Sequence, residues 1–194
     1  MAAPTDFSDC KTLDDCFAVK RSSIPNDEDI RDDALAKYSE GCRVVKELGV
    51  YQGITFARFL TVNGVEEVVG VDISLELYRQ SIEQIVDEYV NASDGQKSIT
   101  LLEMSSTDAA CVSDCDFLHI DSWHNPHHLM QELVLHAPSV SRRIAFHDMN
   151  QKDRELFKVV LRFIQEIQPN TWKIIEDYDK GKCGYAIIER IENV

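Results

Sequence analysis

The chain predicts an α/β fold: a doubly wound, mostly parallel seven-stranded sheet closed by an antiparallel C-terminal hairpin. Three observations carry that expectation. From Cys42 onward, short apolar runs of strand length alternate with longer segments of helical periodicity. Several of the runs, Val68–Val71 and Ile144–Phe146 among them, are apolar on both faces, as in a sheet covered by helices on both sides. The last two strands are separated only by Asp177-Tyr178-Asp179-Lys180-Gly181-Lys182, a turn-rich loop too short for a helix.

Taken in order, residues 1–41 are polar and acidic and form a helical extension or lid ahead of a domain spanning 42–194. Asn26 reads as an N-cap before Asp27, Glu28 and Asp29, opening a helix that runs to Ser39 and closes at Gly41. Strands are expected at 43–49, 66–72, 98–103, 116–121, 142–147, 172–176 and 183–190. Helices are expected at about 54–62, 74–90, 127–137 and 152–167. The last places Leu156, Val159, Val160, Phe163, Ile164 and Ile167 on one stripe.

A chain of 194 residues suits one substantial core. The formal charge of −14 repels phosphate backbones and anionic lipid, so neither nucleic acid nor a membrane surface is an expected partner. No apolar stretch approaches the roughly 18–20 residues needed to span a bilayer, and the first residues carry no export signal. Six scattered cysteines without a Cys-x-x-Cys pair fit reduced thiols in a cytoplasmic protein; Cys111 and Cys115 sharing a helix face as metal ligands is the weaker alternative.

The most telling stretch is Val44-Val45-Lys46-Glu47-Leu48-Gly49-Val50-Tyr51-Gln52-Gly53, a strand running into a tight turn marked by an acid and two glycines. A second strand, Val68-Val69-Gly70-Val71, ends in Asp72. Strand, glycine turn, helix, strand and terminal carboxylate is the arrangement that holds a nucleotide-type cofactor at a sheet edge. With the terminal hairpin, these residues resemble the class I S-adenosylmethionine-dependent methyltransferases, over about residues 42–190, with their Rossmann-like fold. The resemblance implies S-adenosyl-L-methionine as cofactor. Glu47, Gly49, Tyr51 and Gly53 would line its methionine side, Asp72 would hold the ribose, and Ser105, Ser106 and Thr107 would sit near the adenine. The plainer alternatives are a bare strand–helix turn at the glycines, a helix-capping role for Asp72 and an ordinary polar loop at 105–107.

A second cluster follows the fourth strand, Asp121-Ser122-Trp123-His124-Asn125-Pro126-His127-His128, and a third follows the fifth, His147-Asp148-Met149-Asn150. Two convergent carboxylates need a proton or a cation between them. Oxygen ligands favour Mg²⁺, and histidines shift the preference toward Mn²⁺, Fe²⁺ or Zn²⁺. These residues resemble the metal-dependent O-methyltransferases, the branch that includes catechol, macrolide-sugar and cephalosporin hydroxylase-like proteins. By that resemblance Asp121 and Asp148 are metal ligands, His147 or Asn150 is the third, and His124 is the general base, with an ordinary pKa near 6.5. His119 and His136 read as structural, His127 and His128 as capping or surface groups. In this branch Asn directly follows the second acid, where Met149 stands here, and the glycine turn before the fifth strand is replaced by Ser139-Val140-Ser141-Arg142-Arg143.

The expected function is metal-assisted O-methylation of a small hydroxylated molecule or sugar, with Mg²⁺ or Mn²⁺. Trp123, Tyr51 and Phe7 are candidates to stack an aromatic ring. The alternatives are a dinucleotide-dependent oxidoreductase, since Asp72 suits that ribose too, and a non-catalytic cofactor-binding domain. A homo-oligomer is compatible with the sequence.

Overall fold

The computed structural model describes residues 4–23, 27–180 and 183–191. The expected cap at Asn26 and the hairpin residues Gly181 and Lys182 lie outside the described residues. Seven strands form one sheet, β1 (Val44–Leu48), β2 (Glu67–Asp72), β3 (Ser98–Glu103), β4 (Cys115–Ile120), β5 (Val140–His147), β6 (Trp172–Tyr178) and β7 (Tyr185–Arg190). Their spatial order is β3-β2-β1-β4-β5-β7-β6. β1 to β5 are mutually parallel, and β7 runs antiparallel between β5 and β6.

The chain builds outward from β1 to β3, then crosses back to set β4 on the other side of β1. That reversal opens a crevice outside the carboxyl ends of β1 and β4, where ligands of such sheets gather. Glu47 pairs in register with His119, and Leu48 with Ile120, so both strands deliver their terminal residues at one level.

Helices cover both faces. α1 (Leu13–Ser23), α2 (Asp27–Ser39), α3 (Ile54–Leu60), α4 (Glu76–Ser81) and α5 (Glu83–Ala92) lie on one side. α6 (Pro126–His136) and α7 (Glu155–Arg162) lie on the other. Leu13, Cys16, Phe17 and Leu35 enter the same apolar cluster as Phe56, Phe59 and Val68, so the N-terminal helices share the core of the sheet.

Three elements depart from the periodicity. α1 was not anticipated, because its buried stripe is only Leu13, Cys16 and Phe17. The segment expected as one helix over 74–90 breaks at Ile82, whose φ of −134° ends α4 and starts α5 while its side chain is buried. The segment expected over 152–167 begins with two left-handed residues, Asp153 and Arg154, and finishes as a π turn over Phe163–Ile167.

Candidate functional site

β1 leaves the sheet at Gly49, whose φ is +93°. A Cβ there would lie 2.2 Å from the carbonyl oxygen of Asp121, so the backbone after β1 and the backbone after β4 are in direct contact. Gly53, at φ +83°, opens α3, and a Cβ would meet the Tyr78 ring at 2.5 Å. Both glycines are therefore required by the protein's own packing. Tyr51 between them also has positive φ, at +51°, and is exposed.

The Asp72 carboxylate pins this turn. Its Oδ2 accepts from the backbone N–H groups of Val50 (2.8 Å) and Tyr51 (2.9 Å), and its Oδ1 accepts from Ser74 N–H (3.0 Å). Asp72 therefore ties the turn after β1 to the turn after β2 rather than capping α4, whose N-cap is Leu75, and its carboxylate retains one acceptor position of about four.

Beneath the turn, Glu47 is buried and its Oε1 is 2.8 Å from His119 Nδ1. Burial, reinforced by the nearby negative charge of Asp121, pushes the Glu47 carboxyl well above its usual range. Burial also pushes His119 down to about 3, so burial disfavours the charged form of both partners. His119 is a core histidine, as expected, although its Nε2 has no partner among the described residues. His136 is likewise structural, with Nε2 2.7 Å from the Ser106 carbonyl oxygen.

The chemical groups meet at the ends of β4 and β5. Asp121 Oδ1 is 2.7 Å from His147 Nδ1 and 3.2 Å from His124 Nε2. His124 Nδ1 is 2.6 Å from Asp148 Oδ2, and Gln151 Nε2 donates to Asp148 Oδ1 at 2.6 Å. Asp148 reaches this position from a left-handed backbone, φ +59°. Burial would raise the Asp121 pKa, but His147 and His124 outweigh it and hold the carboxyl well below the carboxylate range. Asp148 is lowered too, its burial overcome chiefly by the His124 hydrogen bond.

His124 departs from the expected near-neutral base. Hydrogen bonds to Asp121 and then Asp148 push it up to about 10, so in this arrangement the ring carries its proton at neutral pH. A carboxylate on each ring nitrogen stabilises the imidazolium, a contact that β5 creates and local sequence does not show.

The adenine-side expectation divides. Ser105 and Ser106 line the cavity, whereas Thr107 turns back onto Ser105, their hydroxyl oxygens 2.9 Å apart. Two residues were missed. His128 lines the cavity with Nε2 3.0 Å from Ser106 Oγ, and fully buried Glu132 accepts from Ser122 Oγ at 2.5 Å and lies 3.3 Å from His128. Burial pushes the Glu132 carboxyl up. The available signal was an acid inside the buried helical stripe Leu129, Leu133, His136.

One cavity of about 840 Å³ joins these parts, from Asp72 and Gly53 through Ser106 to His124 and His147. Lys20 of α1 and Arg31 of α2 also face it, so the N-terminal helices contribute to its wall. Trp123 is 68% exposed at its edge, while Phe7 is buried in the core and takes no part. Cys111 and Cys115 sit on a 3₁₀ turn and the first residue of β4 rather than on one helix face, and all six cysteines are thiols.

For a cation, ligand atoms of Asp121, His124 and His147 all lie within 4.8 Å of one another. Of the expected Asp121, His147 and Asp148, the first two belong to this set, while Asp148 contacts His124 and Gln151. Met149 is buried in the core, so it leaves no ligand directly after Asp148. Two imidazoles and one carboxylate fit Mn²⁺, Fe²⁺ or Zn²⁺ better than Mg²⁺.

No protein-family model and no curated protein sequence matches the chain. Solved structures do. A Streptococcus mutans protein assigned as a methyltransferase, in complex with SAH, matches with a TM-score of 0.62 at 11% identity, over 87% of this chain and 99% of that one. An rRNA methylase assignment from Clostridium thermocellum gives 0.62 at 16% identity, over 88% and 99%. A ribosomal protein L11 methylase from Lactobacillus delbrueckii gives 0.60 at 17% identity, over 87% and 81%. Identities this low establish architecture alone: the seven-stranded sheet with its antiparallel C-terminal hairpin is the class I methyltransferase fold.

Proposed function

We propose that the chain is an S-adenosylmethionine-dependent methyltransferase that methylates a hydroxyl of a small molecule or sugar, assisted by a divalent cation. The observation that carries this reading is the single cavity linking the Asp72-pinned glycine turn to the Asp121–His124–His147 cluster. Bound there, the cofactor would supply an electrophilic methyl group, and a cation would orient and acidify the acceptor hydroxyl. Asp72 would accept from the ribose, the turn 49–53 would follow the methionine portion, and Ser105 and Ser106 would face the adenine. Thr107, turned away, drops out of that set.

Asp121 and His147 would hold the cation with His124, or His124 would serve as base once a carboxylate leaves it. While Asp121 and Asp148 both grip the ring, it keeps its proton. Methyl transfer itself rests on positioning, which the packed turn and the paired strand ends provide. The N-terminal extension would serve as a wall of the cavity through Lys20 of α1 and Arg31 of α2. Several proteins of this fold are assigned to RNA, but the −14 charge favours a small acceptor. Six thiols fit a reducing, cytoplasmic setting. Among the described residues no helix is long and apolar enough to cross a membrane.

The test is calorimetric titration with S-adenosylhomocysteine, first in EDTA and then with Mg²⁺ or Mn²⁺. Binding that Asp72→Ala weakens, plus a metal heat lost in Asp121→Ala, supports the reading. Binding of NAD but not S-adenosylhomocysteine turns it into the oxidoreductase alternative, and binding of neither sinks it.

A further inference from the structure

The corner between β5 and β7 brings Cys183, which the methyl-transfer reading does not use, beside His147 and Asp148 of the neighbouring cluster. The antiparallel register pairs His147 with Tyr185. Beyond that pair the two chains stay tied, with Met149 N–H donating to Gly184 O (3.4 Å) and Asn150 N–H to Cys183 O (3.1 Å). Gly184 is held tightly, since a Cβ there would lie 2.8 Å from Tyr178 O and 2.9 Å from Asn150 Cβ. The backbone therefore fixes Cys183 against the end of β5. One nitrogen of His147, one oxygen of Asp148 and the Cys183 sulfur all lie within 4.8 Å of one another.

We propose that His147, Asp148 and Cys183 form a second cation position, selective for a thiophilic divalent ion of the Zn²⁺ class. A thiolate, an imidazole and a carboxylate are the donor types that suit Zn²⁺, and three protein ligands leave a fourth tetrahedral position for water. Mg²⁺, which prefers an all-oxygen octahedron, is discriminated against. The imidazole has a nitrogen for each side. Nδ1 faces Asp121 at 2.7 Å, and Nε2 lies 3.8 Å from Asp148 Oδ1. Arg31 Nη1 now donates to Nε2 at 2.9 Å, so the ion takes that lone pair from the guanidinium and the Cys183 proton leaves to solvent. Asp148 holds His124 through Oδ2 and faces His147 Nε2 through Oδ1, so an ion here would share that carboxylate with the neighbouring cluster. The inference stands on these residues and does not require the methyltransferase reading.

Two measurements test it on the full chain. In the first, Co²⁺ replaces Zn²⁺ as a spectroscopic probe. The unmodified protein should show a near-ultraviolet thiolate-to-cobalt charge-transfer band that Zn²⁺ abolishes, that Cys183→Ser lacks and that Cys10→Ser keeps. By calorimetry, Cys183→Ser should weaken Zn²⁺ at least about tenfold, since losing a ligand costs no less than losing an outer partner that orients one. The second needs no variant: iodoacetamide labelling read by mass spectrometry, with and without Zn²⁺, should show Cys183 protected and Cys10 unprotected. A missing band, a band that survives Cys183→Ser, or equal labelling of Cys183 in both conditions overturns the proposal. S-adenosylhomocysteine titration of the same samples reads the methyltransferase reading separately.

Discussion

Arg31 Nη1 lies 2.9 Å from His147 Nε2, joining a helix ahead of the sheet to the last residue of β5 across 116 positions of sequence. A guanidinium can only donate, so Nε2 must accept, and the ring proton sits on Nδ1, directed at Asp121. An N-terminal helix thus selects the tautomer of a site histidine. Arg31→Gln should release that choice. Proton–nitrogen NMR of the His147 ring should show one tautomer in the unmodified protein and a mixture in the variant; one unchanged tautomer would refute the assignment.

The His124 shift has a direct test. Its pKa of about 10 depends on Asp121 first and Asp148 second. Asp121→Asn or Asp148→Asn should each bring it down by a unit or more toward 6.5, as followed by NMR of the His124 ring in metal-free buffer. A value near 6.5 in the unmodified protein would remove the imidazolium from the description.

His119 should impose an acid-side loss of stability. Its folded pKa, about 3, lies below its unfolded value of about 6.5, so between those limits the unfolded chain binds one more proton. The stability contributed by this residue should therefore fall as pH drops from about 6.5 toward 3. Urea titrations at several pH values should show a flatter acid limb in His119→Gln.

Two glycines with similar backbones should respond differently to alanine. At Gly49 the new methyl meets the Asp121 carbonyl at 2.2 Å, whereas at Gly95, φ +79°, nothing lies within 4 Å. Gly95→Ala should cost only the left-handed strain, about 1–2 kcal/mol, while Gly49→Ala should cost several kcal/mol or leave no folded protein. Thermal melts of the pair decide this, and equal losses would show that backbone strain alone matters at both.

Asp72 should prove structural before it proves ligand-binding. It accepts three backbone N–H groups, and a hydrogen bond to a charged group contributes about 1.5–3 kcal/mol. Asp72→Ala should therefore lower the melting temperature without cofactor present, and Asp72→Asn should lower it less.

The order of elements was legible because burial on both faces leaves continuous apolar strands, and Glu47, Gly49, Gly53 and Asp72 sit where a strand must become a turn. The ends of β4 and β5 were legible for the same reason, which is why Asp121, His124, His147 and Asp148 meet. What stayed hidden depends on contacts made across the chain. Arg31 reaches the site from an acidic, weakly patterned helix, and the His124 proton is held by an acid 24 positions away. Glu132 gave its signal only as a charge in an apolar stripe. The break at Ile82 follows from its burial beside Gly53, a tertiary demand that helix periodicity cannot carry.

The 2.2 Å approach of the Gly49 Cβ position to Asp121 O leaves no slack between the two halves of the cavity. A shift in the turn that would cradle one reactant is transmitted to the acid that would handle the other, so the distance between them behaves as a fixed dimension. Adaptation to a new acceptor then has to come from the replaceable periphery, Trp123, Tyr51 and the N-terminal helices, while this seam stays as it is.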